Sequence, residues 1–256
     1  VALVLEVTHN MVDGSKIVLG LLGVVVLCGA AASVFGSSSA QATRVRSDAP
    51  SPSNTTYLGC GCFWHVQHET VARVEQALLG RGVGELTAFT GYAGGSKVAD
   101  DGRVCYHSFS GHADYGRMGH AEVVSLDLPD SAAPAVASIF FQYMCVNGIR
   151  RDIQDWGAEY RSLVGFPGGL ASRAGEAFRL EAMRRGVRVV AGTGDDPDEP
   201  GVVRVMDSSR FPFHQAEVYH QFHDDMTEIY GPHYNGMRTT TERLGRIKRT
   251  GCPHDE

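Results

Sequence analysis

An α+β fold is predicted by this sequence, as a ferredoxin-like split βαβ two-layer sandwich with a C-terminal extension. Two observations carry the expectation: stretches of strand-like and helix-like residues alternate in the order β-α-β-β-α-β, and glycines and a proline mark several of the changes. Residues 55–59 read as the first strand. Residues 64–79 then place Val66, Val71, Val74, Ala77 and Leu78 at helical spacing, and Gly80 and Gly82 stop that helix. Residues 86–92 form a second strand ending at Gly94 and Gly95, and residues 120–128 a third after a long loop. In residues 131–145, Val136, Ile139, Phe140, Tyr143 and Met144 mark an amphipathic helix with Pro134 in its first turn. Residues 160–166 supply the fourth strand. The extension comprises a helix at residues 170–185, short strands near Val187 and Val202, a helix around residues 213–225, and an acidic solvated turn at residues 194–201.

The chain has 256 residues, 43% of them hydrophobic, enough for one domain with a good core plus a tail. A net charge of -6 without a basic run argues against a nucleic-acid partner, because phosphates call for clustered Lys and Arg. Six cysteines are sparse for a disulfide scaffold of this length. Residues 17–36 carry no charge and follow Lys16, which reads as a targeting segment. Taking Met11 as the start gives Lys16 a short n-region, and Ala40-Gln41-Ala42 offers a cleavage site. Uncleaved, the same run is long enough to anchor the protein in a membrane. The route is secretory or organellar, and on the secretory route Asn54 would head a glycosylation sequon. Three segments follow from this: a leader and Ser/Pro-rich linker at 1–54, a catalytic domain at 55–230, and a flexible tail at 231–256.

The chemistry concentrates at "GCGCFWHVQH", where the pattern turns from strand to helix. Cys60, Cys62, His65 and His68 are zinc-type ligands, but all four straddle one junction and would point several ways, so no metal is expected. Cys60 reads as a small buried strand residue. Cys62 falls where the helix begins, and the free N–H groups there can lower a thiol from about 8.5 to about 3.5–7.5. That position favours a nucleophile, and Phe63 and Trp64 beside it suit a pocket for a methyl or thioether group.

Five stretches, "GCFWH", "TGYAGG", "GHAEVV", "DWGAEYRS" and "AEVYHQFH", occur in an order that resembles the methionine sulfoxide reductase A family, the peptide-methionine (S)-S-oxide reductases, over roughly residues 57–226. The resemblance implies a ferredoxin-like core and a role in protein repair under oxidative stress. It makes Cys62 the nucleophile toward the sulfoxide sulfur, places Phe63 and Trp64 around the substrate methyl, and gives Glu122 the proton for the sulfoxide oxygen. Strand alternation independently puts Glu122 on the apolar face with Val124, Leu126 and Leu128, where burial would keep its carboxyl protonated. Asp155 and Tyr160 match the family's Asp and Tyr, Tyr160 bonding the oxygen and Asp155 ordering the polar side. The family's second tyrosine falls on Tyr106 or Tyr115, with Tyr106 preferred. His65 stands where the family usually has Gly.

By the same resemblance the products are methionine and a Cys62 sulfenic acid, which a cysteine on the C-terminal tail resolves before thioredoxin reduces the disulfide. Cys252 sits where that cysteine is expected, with Cys60, Cys105 and Cys145 as substitutes. Substrates would be oxidised proteins or free methionine sulfoxide, the protein a monomer, and cofactors none. The rival readings are a thiol-disulfide exchanger working through Cys60 and Cys62, and a Cys/His metal-binding module.

Overall fold

The first strand lies where alternation places it, with β1 at Thr56–Gly59 and all four residues buried. The chain is described here by a computed structural model covering residues 55–107, 113–253 and 255. The leader, the cleavage site and Asn54 lie outside those residues. β1 leads through Gly61 into α1 (Phe63–Glu69), and β2 (Thr90–Ala93) and β3 (Ala121–Leu126) follow. Next come α2 (Ala133–Ile139), β4 (Leu163–Phe166), α3 (Arg173–Arg184), β5 (Arg188–Ala191), β6 (Val202–Asp207), β7 (His214–Gln215) and α4 (Pro232–Arg243).

All seven strands join one mixed sheet in the order β5-β6-β4-β1-β3-β2-β7. β1 lies between β3 and β4 and is antiparallel to both, while β6 runs parallel to β4 and β5. The fold is therefore mixed α/β, one sheet with four α-helices among the described residues. Because β3 is buried on both faces, its alternation sorts residues between two apolar layers. Val124 and Leu126 join Leu58, Phe166, Val66 and Phe178 on the helix side, whereas Val123 joins Tyr57, Met206 and Phe211 on the other. Each such side chain contributes roughly 1.5–3 kcal/mol by leaving water. Glu122 shares the parity of Val124 and so enters the helix-side layer.

Four expectations need correction. The helix at 64–79 does not keep one period: after α1 it widens to a π-helix over Thr70–Leu78. The wider turn exposes Ala77 and Leu78 and buries Glu75, whose carboxylate accepts Thr87 N–H and pairs with Arg81 at 2.9 Å. Residues 213–225 are not a helix but β7 and a single 3₁₀ turn, Val218–His220. Their polar side chains bond outward rather than along a helix: the Gln221 amide accepts Thr90 N–H at 3.0 Å and donates to Thr90 O at 3.1 Å. The segment from 231 is not a loose tail, since α4 buries Tyr234, Met237 and Thr241. Finally, the sparse cysteines do form bridges, Cys60–Cys145 and Cys105–Cys252, with Cα separations of 5.6 and 5.7 Å. No described helix is long and apolar enough to cross a membrane.

Candidate active site

Cys62 is the only free cysteine among the described residues, half-buried at the N-cap of α1. Gly61 before it has φ +75°, and a Cβ there would meet Arg150 Cβ at 2.8 Å and Asp155 Oδ2 at 3.0 Å. Glycine thus permits the sharp strand-to-helix turn that sets Cys62 at the start of α1.

Two carboxyls hold the backbone around this sulfur. Asp155 accepts Cys62 N–H at 2.9 Å, and Glu122 accepts Phe63 N–H at 2.9 Å. Tyr115 donates to the other Glu122 oxygen at 3.2 Å. Burial raises the Glu122 carboxyl to about 8 against these two bonds, so it keeps its proton at neutral pH. Asp155, only half-buried, is raised as well, first by desolvation.

The sulfur departs from expectation. Burial pushes the Cys62 thiol well above its ordinary value, and negative charge at Glu122 and Asp155 adds to this. The N–H groups of Trp64 and His65 pull the other way but do not win. A protonated Glu122 removes the larger of the two charges, yet burial, the first cause, remains. The resting site therefore holds a thiol beside a carboxylic acid, not a preformed thiolate.

Aromatic rings form the apolar wall. Trp64 is half-buried, stacked on His223 with centroids 4.5 Å apart. Phe63, read with it as part of the pocket, is 1% exposed and lies behind, against His220 and Tyr92. Tyr106 is half-buried, with its ring 4.4 Å from His220. Tyr115 is fully buried and stacks on Tyr106 and Tyr92. The two candidate tyrosines divide accordingly: Tyr115 braces Glu122 from within, and Tyr106 reaches the open side with Tyr160. Burial also raises both Tyr106 and Tyr160, so their hydroxyls remain donors.

A small cavity beside Cys62 is lined by His65, Arg151, Asp155, Asp225 and Met226. His65 bonds the Tyr143 carbonyl at 3.2 Å, and burial lowers its basicity, so it lines the cavity as a neutral ring. The zinc-like set does not converge: Cys60 is bridged to Cys145, and His68 bonds Glu69 and stacks on Tyr230. Loop histidines are engaged separately, His107 near Asp114 and His120 on Lys97 O at 2.7 Å. Cys252 is 7% exposed and bonded to Cys105, not poised as a free thiol over Cys62.

Residues 54–246 match the family described as peptide methionine sulfoxide reductase. The chain belongs to this family. Among curated relatives it is 30% identical to the peptide methionine sulfoxide reductase MsrA of a Psychrobacter species over 182 residues, covering 69% of this chain and 86% of that one. The MsrA of Halobacterium salinarum is 35% identical over 113 residues, 43% of this chain, so that match spans about half, 54%, of the relative's length. Methionine sulfoxide reductase A of Corynebacterium diphtheriae, a solved structure, superposes with a TM-score of 0.40 at 17% identity over 78% of each chain.

Three further residues of this family member shape the site and carry no role in the sequence reading. Glu217, fully buried, accepts Tyr92 O–H at 2.7 Å and Tyr106 N–H at 2.8 Å, fixing the start of the Tyr106 loop. His220 packs between Phe63, Trp64 and Tyr106. Arg161, 1% exposed, donates to Gly94 O and Gly119 O at 3.1 and 2.9 Å, tying the Tyr160 turn to the ends of β2 and β3. The motifs "AEVYHQFH" and "YRS" contain all three, but only the fold shows which side chains turn inward.

Proposed function

We propose that the protein reduces the S-epimer of methionine sulfoxide, within proteins or as the free amino acid, to methionine. The observation that carries this reading is the pairing of Cys62 with a protonated, fully buried Glu122, held by Phe63 N–H and Tyr115 O–H. The sulfoxide's methyl would lie against Trp64, with Phe63 as the backing layer, and its oxygen would face Glu122, Tyr106 and Tyr160. Cys62 sulfur attacks the sulfoxide sulfur while Glu122 delivers its proton to the oxygen and takes up the proton that the thiol gives up. The substrate sulfur gains two electrons, the cysteine sulfur loses two, and oxygen ends on Cys62 as a sulfenic acid. The two tyrosine hydroxyls stabilise charge gathering on oxygen, and Asp155 holds the Cys62 backbone in place.

Recycling by thioredoxin or a similar dithiol returns Cys62 to the thiol and releases water. For Cys252 to act as the resolving cysteine, its bridge to Cys105 must first open. Within the sheet, the inner order β4-β1-β3-β2 with every neighbour antiparallel supports a ferredoxin-like unit extended by β5, β6 and β7. The catalytic unit includes α4, the leader directs the chain to a secretory or organellar compartment, and the protein acts as a monomer.

The decisive assay is turnover of resolved S- and R-methionine sulfoxide with dithiothreitol, comparing wild type with Cys62→Ser. Turnover of the S-epimer alone, abolished in the variant, is expected. Equal turnover of both epimers, or an active Cys62→Ser protein, would overturn the reading. Thioredoxin-driven turnover in Cys252→Ser then tests the recycling step: its persistence would exclude Cys252 as the resolving group.

A further inference from the structure

We propose that Cys105, Cys252 and Glu217 form a Zn²⁺ site when the Cys105–Cys252 bridge is reduced, so that metal and disulfide alternate at one place in the fold. One ligand atom from each residue lies within 4.8 Å of the others, and all three residues are buried. Two thiolates and a carboxylate form a donor set suited to zinc, with Zn–S near 2.3 Å and Zn–O about 2.0–2.2 Å. Around a tetrahedral ion of that size the two sulfurs sit roughly 3.7 Å apart, which small side-chain rotations reach once the S–S bond is gone.

The surroundings fit as well. Glu217 has no Lys, Arg or His paired with it among the described residues, and its bonds from Tyr92 O–H and Tyr106 N–H take one acceptor position on each oxygen. A carboxylate has about four such positions, so a metal could bind without breaking either bond, and both bonds would orient the ligand. Asp255, 8% exposed, accepts Thr250 O–H, Gly251 N–H and Val218 N–H, which clamps the Cys252 turn against the segment carrying Glu217. These residues differ entirely from the Cys60, Cys62, His65 and His68 set considered from the sequence.

The chemistry balances. A dithiol gives two electrons and two protons to the bridge and becomes a cyclic disulfide, leaving two thiols, and Zn²⁺ then displaces their two protons. In reverse, hydrogen peroxide takes two electrons from the two thiolates and two protons from solvent, the S–S bond re-forms, Zn²⁺ leaves and two waters result. Cys105 directly precedes Tyr106, so either linkage would hold that loop in place, while a zinc-bound Cys252 is withheld from Cys62.

The test uses the full chain, reduced with a phosphine, freed of reductant without air and titrated with Co²⁺. One equivalent is expected to give the charge-transfer and visible bands of a tetrahedral dithiolate site, and Zn²⁺ should bleach them. Cys105→Ser and Cys252→Ser should each weaken binding roughly 100-fold or more, Glu217→Gln about 10-fold, and Cys62→Ser not at all. Oxidised wild type, with the bridge intact, should bind no cobalt, which makes the same folded protein its own control. Stoichiometric peroxide should release the zinc. Absence of a one-to-one band in reduced wild type, its survival in Cys105→Ser and Cys252→Ser, or its loss in Cys62→Ser would each overturn the proposal.

Discussion

Replacing Glu122 with glutamine should make the protein less sensitive to alkaline pH while removing its activity. In the fold this carboxyl ionises near 8, against an ordinary value of 4.5, because it is wholly buried. For a carboxyl raised in this way the sign is the reverse of the usual one. Stability is fully present below 4.5 and is lost as pH rises toward 8, because the unfolded chain releases the proton first. Between pH 5 and pH 8 this single group removes about 3–4 kcal/mol from wild type, at roughly 1.4 kcal/mol per pH unit over most of the interval. The glutamine amide carries no such linkage, and its carbonyl can still accept Phe63 N–H. Urea unfolding of both proteins at pH 5 and pH 8, disulfides intact, measures the effect: the difference in unfolding free energy between variant and wild type should shift toward the variant by that amount. A difference that stays flat with pH would refute the buried, protonated carboxyl and with it the proposed acid. Wild-type turnover should fall as pH passes about 8, with the proton lost.

Three other outcomes follow from the same geometry. Gly61→Ala forces a side chain into a left-handed turn and against Arg150, so it should cost about 1–2 kcal/mol by thermal unfolding and lower turnover by displacing Cys62. Tyr106→Phe and Tyr160→Phe should each reduce kcat about 10- to 100-fold, and the double variant should lose less than the product, since in the proposed mechanism both hydroxyls serve the same sulfoxide oxygen. Cys145→Ser should lower stability by about 2–4 kcal/mol in chemical denaturation, because its bridge spans 85 residues, yet leave sulfoxide reduction intact. Loss of turnover there would favour a Cys60-dependent exchanger instead.

Legibility in the sequence was greatest where one local rule sufficed. The switch from alternation to helical period at Cys62 and the inward parity of Glu122 on β3 are short-range facts, and both lie where they were expected. What failed depends on distant partners. Cys60 meets Cys145 and Cys105 meets Cys252 across 85 and 147 residues, and no spacing rule reports that. Residues 213–225 have apolar positions compatible with a helix, but Glu217 and Gln221 bind Tyr92, Tyr106 and Thr90 on the sheet edge, so tertiary hydrogen bonds displaced the local preference. The thiol was misjudged for a related reason: the helix start is visible in the sequence, whereas the burial that outweighs it is not.

On the proposed function, that unionised sulfur bears on how the protein would endure the conditions that create its substrate. Reactive oxygen species in free solution react far faster with thiolates than with thiols, so a nucleophile held as a thiol at rest is spared sulfinic damage. Sluggishness at rest is thus a form of durability, and the same burial that slows the empty enzyme lengthens its working life.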